Sequence, residues 1–134
     1  MTLVQLAAVV AALLIAAAAI FQVALAAGLP LGEATMGGRA RTVAGVLEPR
    51  YRAIALASAV VLILTAWIVM GRAGLVQTFV GGQVLVWITW VVAGFLALNT
   101  LTNLAGKHPL ERLGMASITL ISAVLVGYVA FAAP

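Results

Sequence analysis

Four uncharged stretches, each long enough to cross a lipid bilayer, dominate the sequence. They cover about residues 3–27, 53–70, 83–105 and 113–131. A transmembrane helix needs about 20 mainly apolar residues, because hydrocarbon offers the backbone no hydrogen-bond partner outside its own helix. The sequence therefore predicts an all-α fold: an integral membrane four-helix bundle with up-down-up-down order, forming a single domain over residues 1–134.

The composition agrees with a membrane protein and with few other classes. Apolar residues make up 66% of the chain and charged residues only 7%, whereas soluble domains carry about 25% charged residues. A surface this apolar is stable only in a bilayer. The net charge of +4 comes from so few side chains that it does not indicate nucleic-acid binding, and the basic residues are better explained as determinants of topology.

The side chains that normally hold metals or cofactors are scarce. The chain has no cysteine, His108 is its only histidine, and its only acids are Glu33, Glu48 and Glu111. Without cysteine there are no disulfides, thiolate metal sites or thiol nucleophiles. The remaining donors are too few for a transition-metal or haem site within one chain, so no cofactor is expected.

Local signals mark the helix ends. Gly28 is expected to end the first helix, and Gly106 is expected to cap the third. Glu48 and Pro49 place an acceptor side chain and then a proline where the second helix should start. Pro109 and the acid Glu111 have the same roles at the fourth helix.

The basic residues are distributed unevenly between the loops, which predicts an orientation. Loop one and loop three hold nearly all of them, and loop two holds only Arg72 (loop one: Arg39, Arg41, Arg50 and Arg52; loop three: Lys107 and Arg112). By the positive-inside rule, loops one and three should be cytoplasmic, with loop two and both termini outside. Most aromatic anchors fall near the expected outer ends (Trp67, Trp87, Trp90 and Tyr128).

The two longer loops have different character. Glycines at Gly37, Gly38 and Gly45 disfavour a long regular helix in loop one. Loop two contains a short apolar piece, residues 75–80, which is compatible either with an interfacial turn of helix or with a shallow re-entrant segment.

Polar side chains inside the expected spans form a layer near the cytoplasmic side. Each helix contributes one polar side chain that lies about five residues, or roughly 8 Å, from its cytoplasmic end. These residues are Gln22, Ser58, Asn99 and Ser117. Asn103 lies one turn further along the third helix. The layer could form a polar cavity that binds an ion or a small hydrogen-bonding molecule. Alternatively, these side chains bond to one another and hold the bundle together, each contributing about 0.6 kcal/mol. Neutral amides and hydroxyls favour the second interpretation.

Charged loop residues on the inner face form the other candidate site. They are Glu33, Arg39, Arg41, His108, Glu111 and Arg112. A histidine beside an acid can perform general acid–base chemistry, for example on lipid headgroups. The arginines could instead bind anionic lipid or the acidic surface of a partner. Helix capping and topology are the simpler explanation for all six.

The small residues predict helix faces that pack closely. Ala8, Ala12, Ala16 and Ala19 form a stripe on the first helix, and such stripes serve packing within the chain or between copies. We therefore expect a small integral membrane protein without evident catalytic activity, either an accessory subunit or a self-associating one. The alternative is a homo-oligomeric channel or transporter for a small ion or polar solute. Its partners would be the bilayer and either another membrane protein or further copies of itself.

Four short motifs resemble those of a loose group of uncharacterised small four-helix bacterial inner-membrane proteins. They are residues 28–33, the Gly-Gly-Arg of residues 37–39, residues 99–103 with an asparagine at each end, and the Pro-x-Glu-Arg of residues 109–112. The resemblance implies a bacterial inner-membrane location and implies no activity.

Overall fold

The computed structural model describes residues 1–134 and contains four long helices. They are α1 (Leu3–Ala27), α2 (Pro49–Arg72), α3 (Gly82–Leu104) and α4 (Ala116–Ala132), and α4 continues from a π-helical segment, Leu110–Met115. All four are long and apolar enough to cross a membrane. The prediction of an all-α four-helix bundle is confirmed.

The helix ends differ from the predicted spans where charged residues lie in the first turn. Helix α2 begins at Pro49 and the fourth helical stretch begins at Leu110, both earlier than predicted, because a helix can extend beyond its apolar span into the polar interface. Gly28 ends α1 in the left-handed conformation, with φ of 111°, as predicted. Two capping predictions are wrong: the Glu48 side chain makes no cap hydrogen bond, and Ala105, not Gly106, follows the last residue of α3.

The contacts between helices define the bundle and its open side. Helix α1 packs along α2 and α4, and α3 packs along α4, whereas α2 and α3 touch only sparsely. Loops one and three meet at one end of the bundle, where the Gly37 N–H donates to Glu111. At the other end, Arg72 of α2 donates to the carbonyl of Ala133 after α4. Successive helices therefore run in opposite directions.

Alanine lets α1 lie close to its neighbours. The main core combines its small side chains with larger ones from the other three helices (Ala7, Ala8, Ala11, Ala18 and Ala19 with Leu62, Val69, Leu96, Val126 and Val129). Small residues allow helix backbones to approach, which increases van der Waals contact in a bilayer. In the predicted stripe, Ala8 and Ala19 are buried and Ala12 and Ala16 are half-buried. The stripe thus serves packing within the chain.

Loop one folds over its end of the bundle without a long helix, as predicted. It contains two short 3₁₀ turns, Gly32–Ala34 and Met36–Gly38, and a hairpin of β1 (Thr42–Val43) and β2 (Val46–Leu47). Both residues of the hairpin turn, Ala44 and Gly45, have positive φ, as tight hairpins require.

Loop two contains no helix over residues 75–80. It is held instead by side chains: the indole N–H of Trp67 donates to the Gln77 carbonyl at 3.1 Å, and the Trp67 ring lies edge-on to Phe79, with centroids 5.1 Å apart. Of the two predicted forms, the interfacial helical turn is excluded.

Candidate binding cavity

A cavity of about 580 Å³ lies among the helices at the end that carries loops one and three. This volume falls in the range of about 300–1,000 Å³ that is typical of small-molecule sites. All four helical stretches and loop one contribute polar side chains to its wall: Gln22, Thr35, Arg39, Ser58, Asn99, Thr102, Asn103, Glu111 and Thr119.

The cavity opens sideways, between α2 and α3. Ile54, Ala57, Val61 and Phe95 line it, and all four are exposed, because α2 and α3 touch so little. Thr35, Met36 and Gly37 of loop one line it at the end of the bundle. In a bilayer the side opening would face lipid.

Glu111 contributes a buried carboxylate, with only 4% of its surface exposed. One oxygen, Oε1, accepts the Gly37 N–H at 3.0 Å. The other, Oε2, is buried without a hydrogen-bond partner. A buried carboxylate is costly unless its oxygens are bonded, so burying Glu111 with only one oxygen bonded lowers the stability of the fold.

The backbone around Glu111 is adapted to hold the carboxylate. Glu111 lies in the π-helical segment before α4. Turns of π-helix are rare and frequently lie at functional sites. Gly37 approaches with φ of 66°, in the region that favours glycine. A methyl group at Gly106 would overlap the carboxylate. Gly106 therefore makes room for the acidic side chain, and Gly37 supplies its hydrogen-bond donor.

Gln22 of α1 supplies a second buried acceptor. Its amide nitrogen lies 3.5 Å from the Thr35 hydroxyl of loop one, and its Oε1 is buried without a partner. Two cavity-lining side chains thus have oxygens that accept no hydrogen bond from the chain. Both oxygens have less than 1 Å² of accessible surface, so they lie within the wall and do not face the cavity.

The α3–α4 side of the cavity is bonded internally. The Thr100 hydroxyl donates to the Thr119 hydroxyl at 2.9 Å, and the Asn103 amide lies 3.4 Å from the same oxygen. Thr119 also bonds to the Met115 carbonyl at 3.0 Å. On this side, polar groups hold two helices together, which is the structural role considered above for the polar layer.

The structure brings four of the five residues of the predicted polar layer to the cavity: Gln22, Ser58, Asn99 and Asn103. Ser117 does not line it. That residue is exposed, and its hydroxyl donates to the Leu113 carbonyl at 2.6 Å. Ser117 has the expected depth but lies on the wrong face of its helix.

The six charged loop residues do not converge. Arg39 and Glu111 line the cavity, whereas Glu33, Arg41 and Arg112 are exposed and lie outside it. His108 is half-buried, and its Nδ1 accepts the Leu110 N–H at 3.1 Å. His108 and Glu111 therefore each accept a backbone N–H, His108 from loop three and Glu111 from loop one.

Sequence reasoning missed Thr35 and Thr119. Thr119 shares the buried face of α4 with Ala116, Ser122 and Val126. The helical periodicity of the sequence could therefore have identified Thr119, whereas counting residues from the helix end could not. Thr35 lies in the irregular part of loop one, where no periodicity exists to reveal which side chains turn inward.

No group of three or more histidine, aspartate or glutamate side chains comes together in the structure. No protein-family model, curated protein or solved structure matches the chain.

Proposed function

We propose that this is a non-enzymatic membrane protein that binds a small molecule carrying hydrogen-bond donors in the cavity between its helices. The observation that carries the proposal is the polar wall of a 580 Å³ cavity, to which all four helical stretches contribute side chains, among them Gln22, Ser58 and Asn99. A half-satisfied buried polar network destabilises a fold. An occupant that bonds to the polar side chains facing the cavity would remove that cost.

The membrane and orientation belong to the same proposal. We place the protein in a bacterial inner membrane, with loops one and three on the cytoplasmic side, because those loops hold six of the seven basic residues. The seventh, Arg72, has its guanidinium bonded to the carbonyls of Ala133 and Ala130. The cavity then lies in the cytoplasmic half of the bilayer.

Assembly with a partner or with further copies remains part of the expected role as an accessory or self-associating subunit. One apolar face of α1, with Leu6, Val10, Leu13 and Ile20 exposed, supports contact with lipid or with another helix. The channel or transporter alternative uses the same cavity, and it predicts that Asn99→Ala abolishes solute flux in proteoliposomes. In the far half of the bundle, Thr65 and Thr89 donate to carbonyls of their own helices, which favours binding over conduction by a single chain.

Native mass spectrometry of the gently extracted protein tests the proposal. The wild-type chain should carry a bound small molecule that leaves on collisional activation. Asn99→Leu should reduce the bound fraction about tenfold or more, because an apolar side chain removes a polar group from the cavity wall. Ser117→Leu is the matched control: it makes a similar polar-to-leucine change at about the same depth but outside the cavity, so the occupant should be retained.

Two results would contradict the proposal. One is a wild-type protein whose native mass spectrum shows no adduct under conditions that preserve its fold. The other is an adduct that both leucine variants retain equally, since such an adduct would lie elsewhere.

A further inference from the structure

The cavity wall changes in character with distance from the end that carries loops one and three. Arg39 of loop one lines the cavity at that end, where its side chain lies against Gly37. On α1, α2 and α3, the lining residues furthest from that end are apolar, namely Ala18, Leu62 and Phe95. A wall that runs from charged to apolar in this direction matches an amphiphile whose polar end lies at the membrane surface.

The accessible charge of the wall is positive. Of the lining residues, only Arg39 and Glu111 carry formal charges. Glu111 is 4% exposed, and its Oε2 is enclosed beside Gly106, whereas Arg39 is exposed. A guanidinium group pairs well with phosphate, whose oxygens accept two of its N–H groups at once. The loop end of the cavity therefore suits a phosphate group.

Between the charged end and the apolar depth, the exposed hydroxyl groups of the wall can act only as acceptors. The Ser58 hydroxyl already donates to the Ile54 carbonyl at 3.0 Å. The Thr102 hydroxyl likewise donates to the Asn99 carbonyl at 2.9 Å. Since each hydroxyl has one hydrogen, its lone pairs remain for an occupant. The half-buried Asn99 side chain adds one acceptor oxygen and two N–H donors. A hydroxyl group beside a carbonyl group would satisfy this part of the wall.

The side opening provides a path for an acyl chain. Val61 and Phe95 are exposed and line the opening between α2 and α3, so a chain that leaves there enters the bilayer. A glycerophospholipid with two acyl chains has only acceptors on its glycerol backbone, and the hydroxyls of Ser58 and Thr102 would meet no donor. A glycerophospholipid with a single acyl chain keeps a free backbone hydroxyl next to its ester carbonyl.

We propose that the cavity binds a lysophospholipid, a glycerophospholipid with one acyl chain and one free backbone hydroxyl. Its phosphate meets Arg39, its hydroxyl donates to Ser58, its ester carbonyl accepts from Asn99, and its chain leaves between α2 and α3. This inference rests on the proposed function and names the ligand class of the same site. The hydroxyl distinguishes lysophospholipids from diacyl phospholipids, and the phosphate distinguishes them from monoacylglycerols.

Competition between lipids with the same hydrocarbon chain tests the inference. The delipidated wild-type protein receives equal trace amounts of lysophosphatidic acid, phosphatidic acid, monoacylglycerol and alkyl phosphate in detergent micelles, and native mass spectrometry identifies the retained lipid. Lysophosphatidic acid should exceed monoacylglycerol, which lacks the phosphate, by about tenfold, as expected for a charge-assisted hydrogen bond. It should exceed phosphatidic acid and alkyl phosphate, which lack the hydroxyl, by about fivefold. Excess glycerol 3-phosphate, which has no chain to bury, should not displace it.

Matched variants locate the contacts. Arg39→Gln should reduce retention of lysophosphatidic acid about tenfold and leave that of monoacylglycerol unchanged. Arg41→Gln, at an exposed loop-one position outside the cavity, should change neither. Ser58→Ala should remove the preference for lysophosphatidic acid over alkyl phosphate. Ser117→Ala deletes a hydroxyl that also donates within its own helix but lies outside the cavity, so the preference should remain.

The outcomes separate this inference from the proposed function. Equal retention of lysophosphatidic acid and either phosphatidic acid or monoacylglycerol would overturn the lipid assignment while leaving a binding cavity. Displacement by glycerol 3-phosphate would do the same, because the occupant would then be a water-soluble phosphate. Absence of any bound molecule would overturn both. If a variant fails to fold, the lipid ratios of the wild-type protein still decide the question.

Discussion

At the scale of single residues, the placement of Glu111 depends on two neighbouring glycines, Gly106 and Gly37. Gly106 leaves the space that the carboxylate occupies, and Gly37 presents its N–H to Oε1 at 3.0 Å from a backbone conformation with φ of 66°. A side chain at either glycine would disturb the contact between loops one and three. The burial of the acid and the closure of that end of the bundle are therefore coupled.

Gly106→Ala tests this coupling. The added methyl group overlaps the Glu111 carboxylate, so either the acid or loop one must move. We expect the free energy of unfolding, measured in mixed detergent micelles, to fall by about 1–3 kcal/mol, the usual effect of overpacking.

Gly94→Ala is the control for that variant. Gly94 lies in α3 with nothing within 4 Å of an added Cβ. Because alanine is the better helix former, this change should leave stability unchanged or raise it by up to about 1 kcal/mol. Equal losses in the two variants would show that the carboxylate is not confined by Gly106.

At the scale of helices, one arginine near the start of α2, Arg52, has a partner on α1. A positive charge at a helix N-terminus is disfavoured by that helix's own dipole. Arg52, however, donates from Nε to the Ala26 carbonyl at 2.6 Å, in the last turn of α1. The bond to the C-terminal end of α1 thus offsets the unfavourable dipole that Arg52 meets at the N-terminal end of α2.

Removal of this contact should loosen the end of α1. Arg52→Gln is expected to lower the free energy of unfolding by about 1–2 kcal/mol, the range for a charge-assisted hydrogen bond at a helix terminus. It should also speed amide hydrogen exchange at Gly28 and Leu29. Arg50→Gln removes an exposed arginine whose side-chain hydrogen bond is made to its neighbour Tyr51, and it should change neither quantity. Unaltered exchange in Arg52→Gln would mean that the Ala26 carbonyl needs no cap.

The hydroxyl pair between α3 and α4 is a second contact at this scale. Thr100 and Thr119 are both buried, and their oxygens are 2.9 Å apart. A double-mutant cycle with Thr100→Val and Thr119→Val should give a coupling energy of about 0.6 kcal/mol, and no more than about 1.7 kcal/mol, as for other hydrogen bonds between membrane helices. Because valine nearly matches threonine in shape, a coupling energy of zero would show that the bond contributes nothing to the α3–α4 contact.

At the scale of the whole molecule, the fold could be predicted from the sequence far better than the cavity. Four charge-free stretches specify four helices because the backbone must bond to itself in hydrocarbon. The cavity depends in addition on which face each helix turns inward, and residue counting gives only depth. Ser117 and Thr119 differ in angle by about 200° around their helix, and only Thr119 lines the cavity. The inward position of Thr35 depends on the path of loop one, for which the sequence has no periodic signal.

The proposed orientation can be tested directly because the chain has no cysteine. Val43→Cys in loop one and Gln77→Cys in loop two both replace exposed, uncharged residues, so neither alters the basic residues that set topology. In intact bacterial spheroplasts, a membrane-impermeant maleimide should label only the Gln77→Cys protein. In inverted membrane vesicles, it should label only the Val43→Cys protein. The opposite pattern would place the cavity in the outer half of the bilayer.

The sparse contact between α2 and α3 makes the bundle open on one side, and the proposed occupant must pass through that opening. Ala57 lies on it: the residue is exposed and lines the cavity. Ala57→Trp should obstruct the gap and lower the fraction of protein that carries a bound molecule about tenfold, since the added ring fills the opening through which the occupant passes. Leu56→Trp places the same ring on the adjacent exposed position outside the cavity, and its bound fraction should match that of the wild type. Native mass spectrometry of the two variants measures both. A molecule that remains bound to the Ala57→Trp protein would have to reach the cavity by another route, at the end covered by loop one.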